Sequence, residues 1–314
     1  MTKLAFLFPG ESSQSVGMMS AMADEFSLVG ETFEEASEVL GYDLWSVTNF
    51  GPETELNKAE IKKPVMLVAG IATWRVWQEL GGSRPDFFAG HGLGEYTALV
   101  ASGVIQFSDA VSIVAQRGNF MQQATPAGGG AMAAVMGLDD IVIRQVCSQV
   151  ENGEIVSCAN YNAPGQVVIS GDREAVKQAC EMTVEAGAES FQLLPVDIPS
   201  HCVLMKPAAI KLQDVLWSVH FFDSSLPVIQ NADVRAYPDA EQVREALARQ
   251  LWQPVRWTET IFSMVDYGVT RFFECGPGDL LAELNRSITP DSSVCSLTGH
   301  DSMHEALQLE NGNE

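Results

Sequence analysis

Residues 86–95 of the 314-residue chain read Asp86-Phe87-Phe88-Ala89-Gly90-His91-Gly92-Leu93-Gly94-Glu95. An apolar run that predicts a strand enters a glycine-rich turn, and a helical pattern continues from the turn to residue 101. The glycines have the spacing of a nucleophile elbow, G-x-S-x-G, in which a tight turn projects the central side chain over the edge of a sheet. The N–H groups after such a turn lie at a helix N-terminus and suit an oxyanion. Here the central residue is Gly92, so the predicted scaffold has no hydroxyl at its tip.

A phosphate-binding glycine loop is the competing interpretation of this stretch. Dinucleotide-binding loops have the spacing G-x-G-x-x-G, whereas residues 90–94 have the spacing G-x-G-x-G. Glu95 would also place a negative charge beside a bound anion. The elbow is therefore the favoured interpretation.

The rest of the chain alternates short apolar strands with helical stretches, which predicts a parallel sheet covered by helices. Strands are predicted over residues 4–8, 86–89 and 272–275, and helices over residues 15–27, 31–40, 61–80 and 109–123. Residues 125–130, rich in proline and glycine, predict a linker. After it, residues 131–195 follow the order β-α-β-β-α-β, which is typical of a ferredoxin-like unit.

These patterns together predict an α/β fold with two parts. A large α/β-hydrolase-like parallel-sheet domain is expected over residues 1–125 and 198–314. A small ferredoxin-like α+β domain is expected as an insertion over residues 126–197.

Composition and charge exclude several classes of function. The net charge of −23 argues against a nucleic-acid partner, because binding phosphates requires concentrated Lys and Arg. The six cysteines form no C-x-x-C pair and the five histidines no H-x-x-x-H pair, which predicts reduced thiols, no metal site and no cofactor. No apolar run reaches the ~18 residues of a membrane span, and the first apolar stretch ends too early, at Pro9-Gly10, for a signal peptide. We expect a cytoplasmic monomer.

Two motifs resemble those of malonyl-CoA:acyl-carrier-protein transacylases. Phe8-Pro9-Gly10-Glu11-Ser12-Ser13-Gln14 is similar to the family's FPGQGSQ, and Gly90-His91-Gly92-Leu93-Gly94-Glu95-Tyr96 is similar to its GHSLGEY. Further stretches fall in the family's order: Ala115-Gln116-Arg117-Gly118, Asn162-Ala163-Pro164-Gly165-Gln166-Val167-Val168-Ile169-Ser170-Gly171, Pro199-Ser200-His201-Cys202, Trp252-Gln253-Pro254-Val255-Arg256-Trp257 and Glu274-Cys275-Gly276-Pro277-Gly278. The resemblance covers nearly the whole chain, which is identified as a member of this acyltransferase family of fatty-acid and polyketide biosynthesis.

The resemblance implies a set of catalytic positions. The family's elbow serine attacks malonyl-CoA, and the phosphopantetheine thiol of an acyl carrier protein then takes the malonyl group from the acyl-serine. Gly92 stands at the position of that serine. His201 stands at the position of the base, and Gln250 at that of the glutamine whose backbone carbonyl orients the base. Backbone N–H groups of Glu11 and Leu93 are implied to form the oxyanion hole.

Substrate-binding positions follow from the same resemblance. Arg117 stands where the family holds the free malonyl carboxylate, and a bidentate guanidinium suits a carboxylate better than an ammonium does. The resemblance also implies that Lys63 and Met121 are substrate-binding residues. Without the resemblance, Arg117 would be interpreted as a helix-surface ion pair, and His201 as an incidental residue at a capped helix start.

Three further positions depart from the family pattern. Glu11 stands where the family has glutamine, Ser12 where it has glycine, and Lys63 where it usually has glutamine. We hypothesise that Glu11 and Lys63 form an ion pair across the entrance of the pocket. Independent drift at the two positions is the alternative.

Gly92 leaves three functional hypotheses open. The chain is an inactive or strongly impaired malonyltransferase, because the acyl-serine route has no nucleophile and neither Ser12, Ser13, Thr97 nor Cys202 sits at the elbow tip. Alternatively, it is a non-catalytic module that binds malonyl-CoA or a carrier protein. In the third hypothesis Glu11 and His201 act as an acid–base pair that hydrolyses or transfers an acyl thioester without a covalent intermediate.

The acidic charge bears on these anionic partners. Its long-range field would repel coenzyme A and carrier proteins, but screening over ~8 Å at physiological ionic strength leaves local basic groups able to dock them. Solubility, or a salty habitat, is the other interpretation of the charge.

Overall fold

The computed structural model describes residues 3–11, 13–150, 153–224 and 226–311. In this part of the chain the strands are β1 (Lys3–Phe8), β2 (Phe87–Gly90), β3 (Gly130–Met136), β4 (Val156–Ala163), β5 (Gln166–Asp172), β6 (Ser190–Leu193), β7 (Val228–Gln230), β8 (Arg235–Ala236), β9 (Val269–Cys275) and β10 (Ser293–Leu297). The helices are α1 (Ser20–Glu25), α2 (Ser27–Leu40), α3 (Leu44–Phe50), α4 (Glu53–Leu56), α5 (Ala59–Glu79), α6 (Gly94–Ala101), α7 (Phe107–Ala124), α8 (Asp140–Ser148), α9 (Arg173–Glu185), α10 (Lys206–Ser218), α11 (Ala240–Gln250), α12 (Trp257–Asp266), α13 (Leu280–Ile288) and α14 (His300–Asn311). A short 3-10 helix, Val203–Met205, precedes α10.

The larger sheet has the strand order β10-β9-β1-β2-β7-β8. Its first five strands are parallel, and the edge strand β8 pairs antiparallel with β7. Helices cover both faces of the central strand, so the side chains at 4–8 are buried without alternation. Phe6, for example, packs between the indoles of Trp74 and Trp77, at ring-centroid distances of 5.0 and 5.5 Å.

The register of the central strands brings two motifs together. Phe8, at the end of β1, lies opposite Gly90, at the end of β2. Because carboxyl ends of parallel strands meet at one edge of a sheet, the turn after Phe8 and the turn after Gly90 are neighbours. The functional residues gather at this edge.

The smaller sheet has the strand order β4-β5-β3-β6, and all of its pairs are antiparallel. Helices α8 and α9 supply Ile143, Val146, Val176 and Ala179 to a core with the strands. The predicted α/β fold with a large parallel and a small antiparallel sheet is confirmed, including the β-α-β-β-α-β order. The boundaries of a separate small domain at 126 and 197 stay a prediction.

The predicted helix over residues 15–27 is wrong in its extent. Helix α1 covers only Ser20–Glu25, and Phe26 has an extended backbone with φ −125° and ψ 107° before α2 begins at Ser27. Gly17 has φ +81°, a left-handed conformation that interrupts a helix. Met19 and Met22, which lie between the two breaks, are buried in the same core cluster. Among the described residues, every helix is too short or too polar to cross a bilayer.

Candidate active site

The glycine-rich turn joins β2 directly to α6. Gly92, at its tip, has φ +55°. A Cβ atom on Gly90 would lie 1.9 Å from the carbonyl carbon of Gly94, and one on Gly94 would lie 2.0 Å from the carbonyl oxygen of Phe8. Both contacts are far inside van der Waals distance, so the turn can close against β1 only with glycine at these two positions. The predicted elbow geometry is therefore present.

The missing side chain of Gly92 would point at His201. A Cβ atom built on Gly92 lies 3.4 Å from Nε2 and 3.8 Å from Cε1 of His201. Apart from the chain neighbours of Gly92, no other heavy atom of the described residues lies within 4 Å of that point. Ser13, Thr97 and Cys202 therefore do not reach it, and Ser12 lies outside the described residues.

His201 is held in one orientation and one tautomer. Its backbone N–H donates to the carbonyl oxygen of Leu251 at 3.0 Å, and its φ of +62° is unusual for a residue with a side chain. The ring Nδ1 lies 2.8 Å from the backbone oxygen of Gln250. A carbonyl only accepts, so Nδ1 carries the proton and the lone pair of Nε2 faces Gly92. Burial, followed by the positive charge of Arg117, lowers the pKa of His201 to about 3, which keeps the ring neutral at pH 7.

Gln250 connects three parts of the site, and only its backbone contact with His201 was predicted. Its side-chain Nε2 donates to the carbonyl oxygen of Gly92 at 2.8 Å. Its Oε1 accepts from Nη2 of Arg117 at 3.3 Å. The elbow, the base and the guanidinium are thus tied to one residue at the end of α11.

Arg117 is a buried guanidinium with unused donors. Its side chain is 1% exposed, and it lies over the ring of Tyr96 at 5.7 Å from the centroid. Its Nε and Nη1 donate to no hydrogen-bond acceptor in the described part of the chain. Unsatisfied donors of a buried charge are costly, so this group is set up to receive an acceptor from outside the chain. Met121 follows one turn later on α7 and is fully buried.

Glu11 lies among three cations. Its Oε1 is 2.8 Å from Nζ of Lys63 and 3.7 Å from Nη1 of Arg117, and its Oε2 is 2.8 Å from Nζ of Lys62. The hypothesised ion pair with Lys63 is confirmed. Lys62 was not predicted, although the adjacent lysines on the first turn of α5 were visible in the sequence. One carboxylate and three cations leave this cluster with a formal charge of +2.

The charges in this cluster shift the protonation of Glu11 and Lys63. Burial alone would raise the pKa of Glu11, but the charges of Lys63, Lys62 and Arg117 outweigh it and hold the pKa well below its usual range. Burial lowers the pKa of Lys63 to about 8 despite the opposing effect of Glu11. Glu11 is therefore ionised near neutral pH and has no proton to donate, which argues against the acid–base pairing of Glu11 with His201.

Asn231, directly after β7, was not predicted. Its side chain holds the glycine-rich turn through two hydrogen bonds. Its Oδ1 accepts from the N–H of Gly92 at 2.6 Å, and its Nδ2 donates to the carbonyl oxygen of Gly90 at 2.6 Å. Its own N–H donates to Oε2 of Glu95 at 2.7 Å. Burial raises the pKa of Glu95 to about 7, although the N–H of Asn231 opposes this. The position of a polar residue just after a buried strand was the only signal in the sequence.

The two predicted oxyanion donors belong to different turns, Glu11 to the turn after β1 and Leu93 to the turn after β2. The N–H of Leu93 has no acceptor among the described residues, whereas the N–H of Gly92 is occupied by Asn231. Leu93 also begins α6 as its N-cap, where the helix dipole favours negative charge. The oxyanion roles of Leu93 and Glu11 stay predictions. The described residues contain no cluster of three or more His, Cys, Asp or Glu side chains that could hold a metal.

Comparison with known proteins shows which proteins the whole chain is similar to. A family model described as "Acyl transferase domain" matches residues 5–306. The chain is 48% identical over 309 residues to the malonyl CoA-acyl carrier protein transacylase of Escherichia coli strain K12, covering 98% of this chain and 100% of the relative.

Solved structures give the same result. One is described as a type II PKS acyl-carrier protein in complex with its malonyl-transacylase; it has a TM-score of 0.97, 47% identity, and coverage of 98% of this chain and 100% of that one. Another is an acyl carrier protein S-malonyltransferase from Vibrio cholerae, with a TM-score of 0.95, 46% identity, and coverage of 97% and 99%.

Proposed function

Because this chain belongs to the malonyl-CoA:acyl-carrier-protein transacylase family, we propose that it binds malonyl-CoA and a carrier protein but lacks the acyl-serine route. Gly92 occupies the position of the nucleophile in this proposal. The observation that carries it is the geometry at Gly92, where a side chain would face the lone pair of His201 Nε2 at 3.4 Å. The proposal is supported by the position of His201 and by the N–H of Leu93, which has no acceptor among the described residues, while Gly92 supplies no attacking atom.

Recognition of the malonyl group is assigned to Arg117. Two of its donors have no acceptor in the described part of the chain, and the cluster around it keeps a formal charge of +2 after Glu11 is counted. A free carboxylate can accept from one of these two donors in a charge-assisted hydrogen bond. The same cluster supplies local positive charge on a chain whose net charge is −23, in line with screening of the distant acidic groups.

The loss of one member of a nucleophile–base pair has a large effect on rate. In a serine hydrolase, removal of the nucleophile costs on the order of 10⁶ in kcat, with the residual rate supplied by binding and the oxyanion hole. We expect a comparable loss here relative to members of the family with a serine at the elbow. The chain thus binds malonyl-CoA and a carrier protein as its relatives do, but it transfers the malonyl group far more slowly by the covalent route.

The test is a gain of function in Gly92→Ser. A hydroxyl on a Cβ atom 3.4 Å from Nε2 lies within hydrogen-bonding reach of the base, so malonyl transfer from malonyl-CoA to a carrier protein should rise by at least about 10³-fold. Gly92→Ala is the matched control, because it adds the same Cβ atom and the same strain at φ +55° without a nucleophile. Equal rates in Gly92→Ser and Gly92→Ala would contradict the proposal.

Binding is measured separately. Titration calorimetry of the unaltered protein should show saturable binding of malonyl-CoA. The affinity for acetyl-CoA should be lower. Failure of malonyl-CoA to bind would remove the binding part of the proposal whatever the result with Gly92→Ser.

A further inference from the structure

The space beside Gly92 contains His201 and, among the described residues, no nucleophile. The built Cβ position meets only Nε2 and Cε1 of His201 within 4 Å among the described residues beyond its chain neighbours. The base is fixed by the bonds of its Nδ1 to Gln250 and of its N–H to Leu251. A group from outside the chain that enters this space would therefore meet a lone pair with a defined direction.

We propose that this protein transfers acyl groups by single displacement, in which the thiol of an incoming pantetheine arm occupies the space beside Gly92 and attacks the bound acyl thioester directly. The inference rests on the proposed function, because it needs malonyl-CoA to be bound with its carboxylate at Arg117. It adds an activity that needs no covalent acyl-protein.

The step balances without any further reagent. The thiol gives its proton to Nε2 of His201 while its sulfur forms a bond to the acyl carbon. The carbonyl oxygen takes the negative charge next to the N–H of Leu93, the one donor at the elbow tip that has no acceptor among the described residues. The bond from the acyl carbon to the sulfur of coenzyme A then breaks, and the leaving thiolate takes the proton back from Nε2.

Acidity favours a thiol over water as the entering group. An ordinary thiol has a pKa near 8.5, whereas that of bulk water is 15.7, so a weak neutral imidazole removes the proton of a thiol far more readily. Burial and the charge of Arg117 make His201 such a weak base. Hydrolysis is therefore the slower reaction at the same site.

The malonyl carboxylate also acts on the base through Arg117. Gln250 forms a hydrogen bond to Arg117 through its side chain and to His201 through its backbone. One residue therefore contacts both the guanidinium and the imidazole. A carboxylate bound to Arg117 offsets the positive charge that lowers the pKa of His201. Its binding thus raises the basicity of Nε2, and malonyl thioesters should react faster than acetyl thioesters even at saturation.

The experiment measures malonyl transfer from malonyl-CoA to free pantetheine by the full-length, unaltered protein. Single displacement predicts malonyl-pantetheine as the product and initial rates that give intersecting double-reciprocal lines when both substrates are varied. His201→Ala and His201→Asn should each lower the rate by about 10²-fold or more, the usual contribution of a positioned base. Gly92→Ala should lower it on the order of tenfold or more, because its methyl group fills the space needed by the thiol.

Each other outcome overturns the inference. Parallel lines together with a trapped malonyl-protein would show a covalent route. Free malonate as the main product would show that water is the nucleophile. A transfer rate unchanged in both His201 variants would show that His201 is not the base. Saturable binding of malonyl-CoA without transfer to pantetheine would defeat this inference alone, whereas absent binding would defeat the proposed function as well.

Discussion

The Oε1 atom of Glu11 lies 2.8 Å from the ammonium of Lys63 and 3.7 Å from the guanidinium of Arg117. A carboxylate of the protein therefore stands beside the cation that we assign to the carboxylate of the substrate. The two carboxylates share one cluster of positive charge. If Arg117 binds the malonyl carboxylate as we propose, the affinity for malonyl groups depends on the side chain of Glu11, to which we assign no chemical step.

Glu11→Gln should bind malonyl-CoA more tightly than the unaltered protein does. The change removes the carboxylate that competes with the malonyl group for the cations of the cluster, and we expect a gain of about tenfold, or ~1.4 kcal/mol. Lys63, which is 1% exposed, loses its charged partner, so the free energy of unfolding should fall by about 1–3 kcal/mol. Calorimetric titration and urea unfolding measure the two effects.

Glu55→Gln is the matched control for that experiment. It removes one carboxylate from an exposed ion pair with Lys58, where the expected effect on stability is at most ~1 kcal/mol. Equal affinities for malonyl-CoA in the parent and in Glu11→Gln would show that the two carboxylates do not share the cluster.

Arg117→Ala should abolish the preference for malonyl-CoA over acetyl-CoA. Hydrogen bonds to a charged group contribute about 1.5–3 kcal/mol, so malonyl-CoA should bind roughly 10- to 100-fold more weakly. Arg117→Lys keeps the charge but loses the planar pair of donors, and we expect an intermediate preference. Acetyl-CoA is the internal control, since it has no free carboxylate. A parent-like affinity of Arg117→Ala for malonyl-CoA would refute the assignment.

The sequence was informative where function depends on a local pattern. The glycines at 90 and 94 and the apolar runs beside them predicted the elbow, because sterically required glycines stand at fixed spacing. The pairing of Glu11 with Lys63 was predicted from the family's motifs. Asn231 and Lys62 were not, since their contacts join segments that only the strand order β1-β2-β7 and the packing of α5 bring together. The break between the first two helices was predicted at residues 28–30 but lies at Phe26.

The titration of His201 should contribute a loss of stability as the pH falls below neutral. In the unfolded chain the imidazole gains a proton as the pH falls through about 6.5, whereas burial and Arg117 hold the folded pKa at about 3. The unfolded state thus binds more protons between these values, and stability falls as the pH falls. The contribution between pH 7 and pH 5 is about 2 kcal/mol.

His201→Asn isolates that contribution. Glu95 titrates with a raised pKa of about 7 and has the opposite sign, so it stabilises the folded protein as the pH falls, equally in the parent and in the variant. The difference in unfolding free energy between the two proteins should shrink by about 2 kcal/mol from pH 7 to pH 5. A difference that stays constant across this range would show that His201 protonates with an ordinary pKa.

Asn231→Ala should destabilise the fold and loosen the elbow. It leaves the N–H of Gly92 and the carbonyl oxygen of Gly90 without their partners, and each unsatisfied buried group costs about 1–3 kcal/mol. Asn231→Asp keeps the acceptor for Gly92 but sets a buried carboxylate against the carbonyl oxygen of Gly90 and near Glu95, so its loss should be at least as large. Chemical denaturation measures the free energy of unfolding of the parent and of the two variants. Asn231→Ala with parent-like stability would show that water replaces the amide.

Incubation of the unaltered protein with malonyl-CoA, followed by intact-protein mass spectrometry, tests the central claim most directly. Gly92 offers no atom to bond to the acyl carbon, so the mass should stay that of the free chain over times at which Gly92→Ser becomes fully malonylated. A stoichiometric malonyl adduct that forms on the unaltered chain as fast as on Gly92→Ser would contradict the account.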